Sequence, residues 1–174
     1  MPEAVVIALA GPISSGKSSV AALIGEEISA PVVSFGSLIR GSQPEGATRE
    51  RLQDAGTQML NRLGPAGLLD AALQACGTST TDIPVVWEGV RHRSVLEALV
   101  DLYVPNRVAL FMLASPEQER RRRAIAEAGS ERRLARWEKH ETESLAELAP
   151  LAELAVSAAS AQAAADQILA QLGA

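Results

Sequence analysis

Residues 11–18 read Gly-Pro-Ile-Ser-Ser-Gly-Lys-Ser, the spacing G-x-x-x-x-G-K-[ST] of a phosphate-binding P-loop. They stand between the apolar run Ala4-Val5-Val6-Ile7-Ala8-Leu9-Ala10 and a stretch with helical periodicity. Few architectures stop a buried strand at a glycine-rich loop and restart it as a helix. The glycines let the backbone wrap a polyphosphate with its N–H groups pointing inward, and the helix N-terminus adds its dipole. Lys17 then reaches the β- and γ-phosphates, and the Ser18 hydroxyl ligates Mg²⁺. The chain holds fourteen arginines but only two lysines, so a lysine at this position carries weight. The expected ATP-binding residues are Gly11, Ile13, Ser14, Ser15, Gly16, Lys17, Ser18 and Ser19.

Composition narrows the setting. At 174 residues the chain is long enough for one domain, 1–174, with a proper core. Its formal charge of −5 argues against a nucleic-acid partner, which calls for net positive charge. Cys76 is alone, which excludes a disulfide framework and a cysteine-based zinc site, and it reads as a small buried hydrophobe on a helix. No apolar run approaches the ~18 residues of a membrane span, and no basic segment precedes the first strand. A cytoplasmic protein without a membrane partner is expected.

Strands alternate with helices along the chain. After a helix over about 17–28, residues 31–35 read as a second strand and 41–47 as a polar loop. Leu52, Ala55, Gly56, Met59, Leu60 and Leu63 mark a helix from Thr48 that Gly64-Pro65 ends, followed by another over about 66–75. Strands are expected at 83–87 and 107–113 and, short, at 154–157. Ser94-Val95-Leu96-Glu97 has the form of a capping box. Ser115-Pro116-Glu117-Gln118 opens a helix that Gly129 stops; another spans about 131–148, and an alanine-rich one closes the chain. Strands apolar on both faces imply a three-layer α/β fold with a parallel sheet.

Other residues suit the chemistry around a triphosphate. Glu88, at the end of the third strand, is placed for magnesium, alone or through water; a solvated loop position is the alternative. Arg91, just beyond it, can grip a phosphate with two parallel bonds or form a surface ion pair. Arg40 ends Ser34-Phe35-Gly36-Ser37-Leu38-Ile39-Arg40 and is open to the same two readings. Arg49 and Arg51, among acidic neighbours, read first as surface residues, and His92 as a helix-start histidine. Arg120-Arg121-Arg122-Arg123 with Arg132, Arg133 and Arg136 gathers half of all arginines in seventeen residues. Four consecutive arginines cannot share one helix face. Arg120 and Arg123 are therefore expected to face the phosphates, with the remainder in surface pairs such as those Glu117 and Glu119 offer. His140-Glu141-Thr142-Glu143 lacks a second histidine at helical spacing and is not read as a zinc site.

These residues together resemble the P-loop nucleotide kinases of adenylate-kinase type, over nearly the full chain. The nearest likeness is to small bacterial ATP-binding proteins labelled AAA-family or related to dephospho-CoA and cytidylate kinases. The likeness rests on the P-loop, Ser34-Phe35-Gly36 with Arg40, Leu52-Gln53 with Gly56, Glu88-Gly89-Val90-Arg91, the Arg120/Arg123 pair and residues 140–143. It implies a five-stranded sheet of order 2-3-1-4-5, an acceptor-binding insertion at 36–77 and an arginine-bearing lid at about 120–137. It implies catalytic Lys17, Arg120 and Arg123, acceptor-binding Arg40 and Arg91, and metal ligation by Ser18 and Glu88, with ATP and Mg²⁺ as cofactors. Shikimate and dephospho-CoA kinases place an aspartate near the end of the second strand; here that stretch has no carboxylate before Glu45. A hydroxyl acceptor benefits from a base there. A phosphate, largely dianionic at neutral pH, needs none, and Glu88 is left as the candidate base for a hydroxyl. The expectation is transfer to a small phosphate-bearing acceptor such as a nucleoside monophosphate. A metabolite hydroxyl kinase and an ATP-binding regulatory module are the alternatives.

Overall fold

The computed structural model describes residues 5–114, 116–157 and 159–173, with the side chains of residues 140–143 set aside. Five parallel strands form one sheet of order β2-β3-β1-β4-β5, the order the sequence resemblance implied. They are β1 (Val5–Ala10), β2 (Val32–Ser34), β3 (Val85–Glu88), β4 (Arg107–Ala114) and β5 (Leu154–Ser157). Every residue of β1 is buried, because the strand lies at the centre with helices on both faces.

Alternation along β1 separates two apolar layers. Val6, Ala8 and Ala10 face a cluster with Trp87 of β3, Leu69 of α3 (Arg49–Cys76) and Leu99 of α4 (Arg93–Tyr103). Val5, Ile7 and Leu9 face α1 (Lys17–Glu27) and α7 (Ala161–Leu172) through Ile24, Phe111 and Ile168. Three of the chain's five aromatic residues stack under the first layer. Phe35 lies 5.4 Å from Trp87, which meets Tyr103 edge-on at 6.4 Å and donates its indole N–H to the Tyr103 hydroxyl.

A third, smaller cluster sits apart from the sheet. Ile13 of the P-loop is fully buried against Ala124, Ala128, Leu134 and Trp137. These belong to α5 (Glu117–Ala128) and α6 (Glu131–Leu148).

Some local expectations change. Phe35–Gly41 is a helix, α2, directly after β2: the Ser34 hydroxyl accepts from Ser37 N–H and caps a turn that carried no clear periodicity. The Ser94 capping box does not form. Helix α4 opens at Arg93 with His92 at its N-cap, and Glu97 is engaged by Arg93 Nε at 2.8 Å. Gly64 (φ 69°, ψ 173°) does break the long α3 segment, with Pro65 after it. Cys76 is exposed at the α3 terminus, where its thiol donates to the Val32 carbonyl. The expected Ser115 cap and the side chains of residues 140–143 lie outside the described residues.

Gly25 shows how tightly α1 lies on the sheet. A Cβ there would stand 2.6 Å from a Val32 methyl and 2.9 Å from the Ala30 carbonyl oxygen. Gly25→Ala is expected to lower stability by about 1–3 kcal/mol, a fall of several degrees in thermal midpoint. Gly41→Ala, whose methyl would meet open space, should hold or slightly raise the midpoint. Calorimetry of both variants beside the parent checks the contrast.

Candidate active site

The P-loop takes its shape from three backbone positions. Gly11 (φ 147°) passes so close to β4 that a Cβ would lie 2.5 Å from the Leu113 carbonyl oxygen. Ser14 (φ 57°) and Gly16 (φ 85°) then turn the chain into α1, where Gly16 is the N-cap. Lys17 is buried, its Nζ donating to the Gly11 and Pro12 carbonyls at 2.8 Å each and to Ser15 Oγ at 3.3 Å. The ammonium is thereby fixed across the loop.

Glu88, the last residue of β3, is buried beside the loop. Parallel register sets it next to Leu9 of β1 and Ser34 of β2. Its Oε1 accepts from Ser18 Oγ at 3.2 Å, and its Oε2 from Ser34 Oγ at 2.5 Å. A hydroxyl and a carboxylate are hard oxygen donors of the kind magnesium takes, in small number, completing its shell with phosphate oxygens and water. Among the described residues no cluster of three or more His, Cys, Asp or Glu side chains could hold a metal on protein ligands alone. The donor set therefore fits Mg²⁺ that arrives with a nucleotide. The bond to Ser34 also places a carboxylate at the end of the second strand after all. It comes from the neighbouring strand, which the second-strand sequence alone did not reveal.

A cleft of about 400 Å³ opens from the loop between α2, α3 and the start of α4. Arg40 and Arg91 both line it. The Arg40 guanidinium lies against Gly36, with Nη2 donating to Ser37 Oγ at 3.5 Å. Arg91 follows Gly89 (φ 91°); the N–H groups of Gly89 and Val90 both donate to the Leu9 carbonyl and pin this turn to β1. His92 also lines the cleft; burial and then the nearby Arg91 charge lower its pKa, against a smaller opposing pull from Glu147.

The arginine run is arranged differently from expectation. Arg120 does not line this cleft: it is 13% exposed and its Nη2 donates to Glu138 Oε1 at 2.9 Å, joining α5 to α6. Helical geometry turns it inward toward the partner helix. Arg123 lines a separate groove of about 100 Å³ with Ser15, Gly16 and Ser19, on the α7 side of the loop.

Residues read as surface groups enter the site instead. Arg49 lines the cleft, pairs with Glu127 at 3.2 Å and lies 5.8 Å from the Trp137 ring centre. Glu127 also accepts from Ser14 Oγ at 3.4 Å. One turn position away, Arg133 grips Glu50 with Nε at 2.9 Å and Nη2 at 3.2 Å. These pairs tie α3 to the α5–α6 hairpin across 78 and 83 residues of sequence. No local pattern announces such contacts.

The fold is that of solved P-loop kinases. Shikimate kinase from Bacteroides thetaiotaomicron aligns with TM-score 0.59 and 15% identity over 98% of this chain and 99% of that one. Gluconokinase from Sinorhizobium meliloti aligns with TM-score 0.59 and 20% identity over 99% and 94%. An uncharacterized protein from Eubacterium ventriosum aligns with TM-score 0.58 and 14% identity over 98% and 99%. No protein-family model matches the sequence, and no curated protein sequence matches it. Among the described residues no helix is long and apolar enough to cross a membrane.

The paired hydrogen bonds from Arg133, and then one from its own backbone N–H, hold the Glu50 carboxyl at about 2 despite some desolvation. A carboxyl depressed in the native state contributes fully above its unfolded value and loses that contribution as pH falls toward 2. Carboxyl NMR titration should place Glu50 near 2 in the parent and return it to the ordinary range of about 4.3 in Arg133→Ala.

Proposed function

We propose that the chain is an ATP- and Mg²⁺-dependent phosphotransferase acting on a small phosphate-bearing acceptor, a nucleoside monophosphate being the acceptor class that fits. The observation that carries this reading is the single cleft that Arg40, Arg91 and Arg49 line together with Lys17 and Glu88. Three guanidinium groups suit a dianionic acceptor better than a neutral sugar or alcohol. The overall fold, shared with a shikimate kinase and a gluconokinase, supports phosphoryl transfer as the chemistry. On this reading the protein acts in the cytoplasm, free of nucleic acid.

Each role follows from position. The N–H groups of the loop, over Gly11, Ile13, Ser14, Ser15, Gly16, Lys17, Ser18 and Ser19, cradle the donor's phosphates. Lys17 stabilises charge on the transferred group, which passes through a loose transition state that asks mainly for positioning and electrostatics. Magnesium, held by Ser18 and Glu88, neutralises phosphate charge when bound. Arg40 and Arg91 hold the acceptor phosphate in line. Arg123, on the other side of the loop, belongs to the donor side. Arg120 acts through its Glu138 pair, which holds α5 against α6. In this scheme residues 36–77 are the acceptor arm, 120–137 the lid, and the whole chain one domain. Closure of the lid excludes the water that would divert transfer into hydrolysis.

One observation favours a second reading. Glu88 is bonded to Ser34 and so supplies a carboxylate where a hydroxyl-kinase base would stand. A panel of nucleoside monophosphates and hydroxyl acceptors, incubated with ATP and Mg²⁺ and followed by ADP release, separates the two. Lys17→Ala should lower turnover by on the order of 10²-fold or more. Unchanged turnover sinks both readings, and acceptor-independent ADP release points to an ATPase. Arg91→Ala should raise the KM for the phosphate acceptor at least tenfold while leaving the ATP KM within about twofold. Equal effects on a neutral acceptor would favour the hydroxyl reading.

A further inference from the structure

Helix α3 lays a single stripe along the cleft: Arg49, Leu52, Gln53, Gly56 and Leu60 all line it, at helical spacing. The stripe changes character along its length. Arg49, which pairs with the carboxylate bonded to P-loop Ser14, marks the phosphate end. Leu60, eleven residues or about 16 Å further along the helix, marks an apolar end. Between them stand the Thr57 hydroxyl, which donates to the Gln53 backbone carbonyl at 3.1 Å, and the Gln53 amide. The Gln53 Nε2 atom is buried within the protein and donates to no partner.

An amide nitrogen taken out of water without a partner destabilises a folded chain, and such groups are few in native proteins. Nothing in the packing requires an amide here. Its neighbours on the stripe are Leu52 and Gly56, and at Gly56 α2 comes so close that a Cβ would lie 2.9 Å from Ile39 Cδ1. The wall is therefore mostly apolar, and the Gln53 amide is the donor in it that is left without a partner. That combination fits a planar heterocycle: apolar surface covers its face, and a carbonyl or ring nitrogen on its edge accepts the proton.

We propose that Gln53 is the specificity residue for the acceptor, its Nε2–H donating to an edge acceptor of the acceptor's base. The inference rests on the nucleoside-monophosphate reading above and adds the residue that selects among bases. Arg40 and Arg91 hold the phosphate, common to all such acceptors; Gln53 meets the part that differs. A site that hydrogen-bonds a substrate rejects analogues lacking the group far more strongly than an apolar site does, because its own polar atom is left unpaired.

The test uses the full chain with four nucleoside monophosphates, measuring both turnover and calorimetric binding, alongside Gln53→Met and Gln53→Glu. The parent should prefer one base. Gln53→Met should lose about 10- to 100-fold in affinity for that base and flatten the ranking, with ATP affinity and kcat on a poor base nearly unchanged. Its thermal midpoint should hold or rise, since an unpaired buried donor has been removed; this separates lost recognition from lost folding. Gln53→Glu, which replaces the donor by an acceptor, should shift the preference toward a base whose edge offers an N–H. A parent that binds and turns over all four equally, or variants that keep its ranking, overturn this assignment and leave the kinase reading standing. A parent that binds and phosphorylates none of them overturns the monophosphate reading together with it.

Discussion

A buried carboxylate joins the elements on which the site depends. Glu88 ends β3, and parallel register places it between Leu9 and Ser34 on the neighbouring strands. Its two oxygens reach in opposite directions, one to Ser18 on α1 and one to Ser34 at the start of α2. Ser34 in turn caps α2 through Ser37 N–H. The P-loop and helix α2 are thus held to one side chain, and their relative position follows from strand register rather than from loop conformation. Burial of such a group away from its hydroxyl partners is costly, so the sheet edge and both helix starts are set together.

The sequence is most legible where the physics is local. A continuous apolar run, a glycine-rich loop and a following helix are contiguous, so β1, the loop and α1 can be read directly. The break at Gly64-Pro65 is equally local. Strand order was legible only through family resemblance, since periodicity says nothing of neighbours. Helix α2 was missed because seven residues hold too little pattern to outweigh two glycines and a serine.

The site divides in the same way. Lys17, Ser18, Glu88, Arg40 and Arg91 lie in or just beyond strand ends, where a ligand crevice in an open α/β sheet is expected, and the fold brings them to one cleft. Arg49 reads as a surface group, Gln53 enters only within the family likeness and Glu127 carries no signal, because their meaning is tertiary. An arginine beside a glutamate in sequence reads as a helix-surface pair, yet Arg49 finds its carboxylate 78 residues away. The four consecutive arginines divide: Arg120 turns to Glu138 at the α5–α6 contact, while Arg123 lines a groove beside the P-loop.

Ile13 gives the P-loop a second allegiance. Its backbone belongs to the loop, but its side chain is fully enclosed by Ala124, Ala128, Leu134 and Trp137 of the arginine-bearing hairpin. Separating hairpin from loop exposes that apolar cluster, so the resting balance favours contact through the hydrophobic effect as well as through ion pairs. The two contributions answer to different conditions. Salt weakens the surface pairs, while cooling weakens apolar contact. The hairpin is therefore latched twice, and the latch is loosest in cold, salty water.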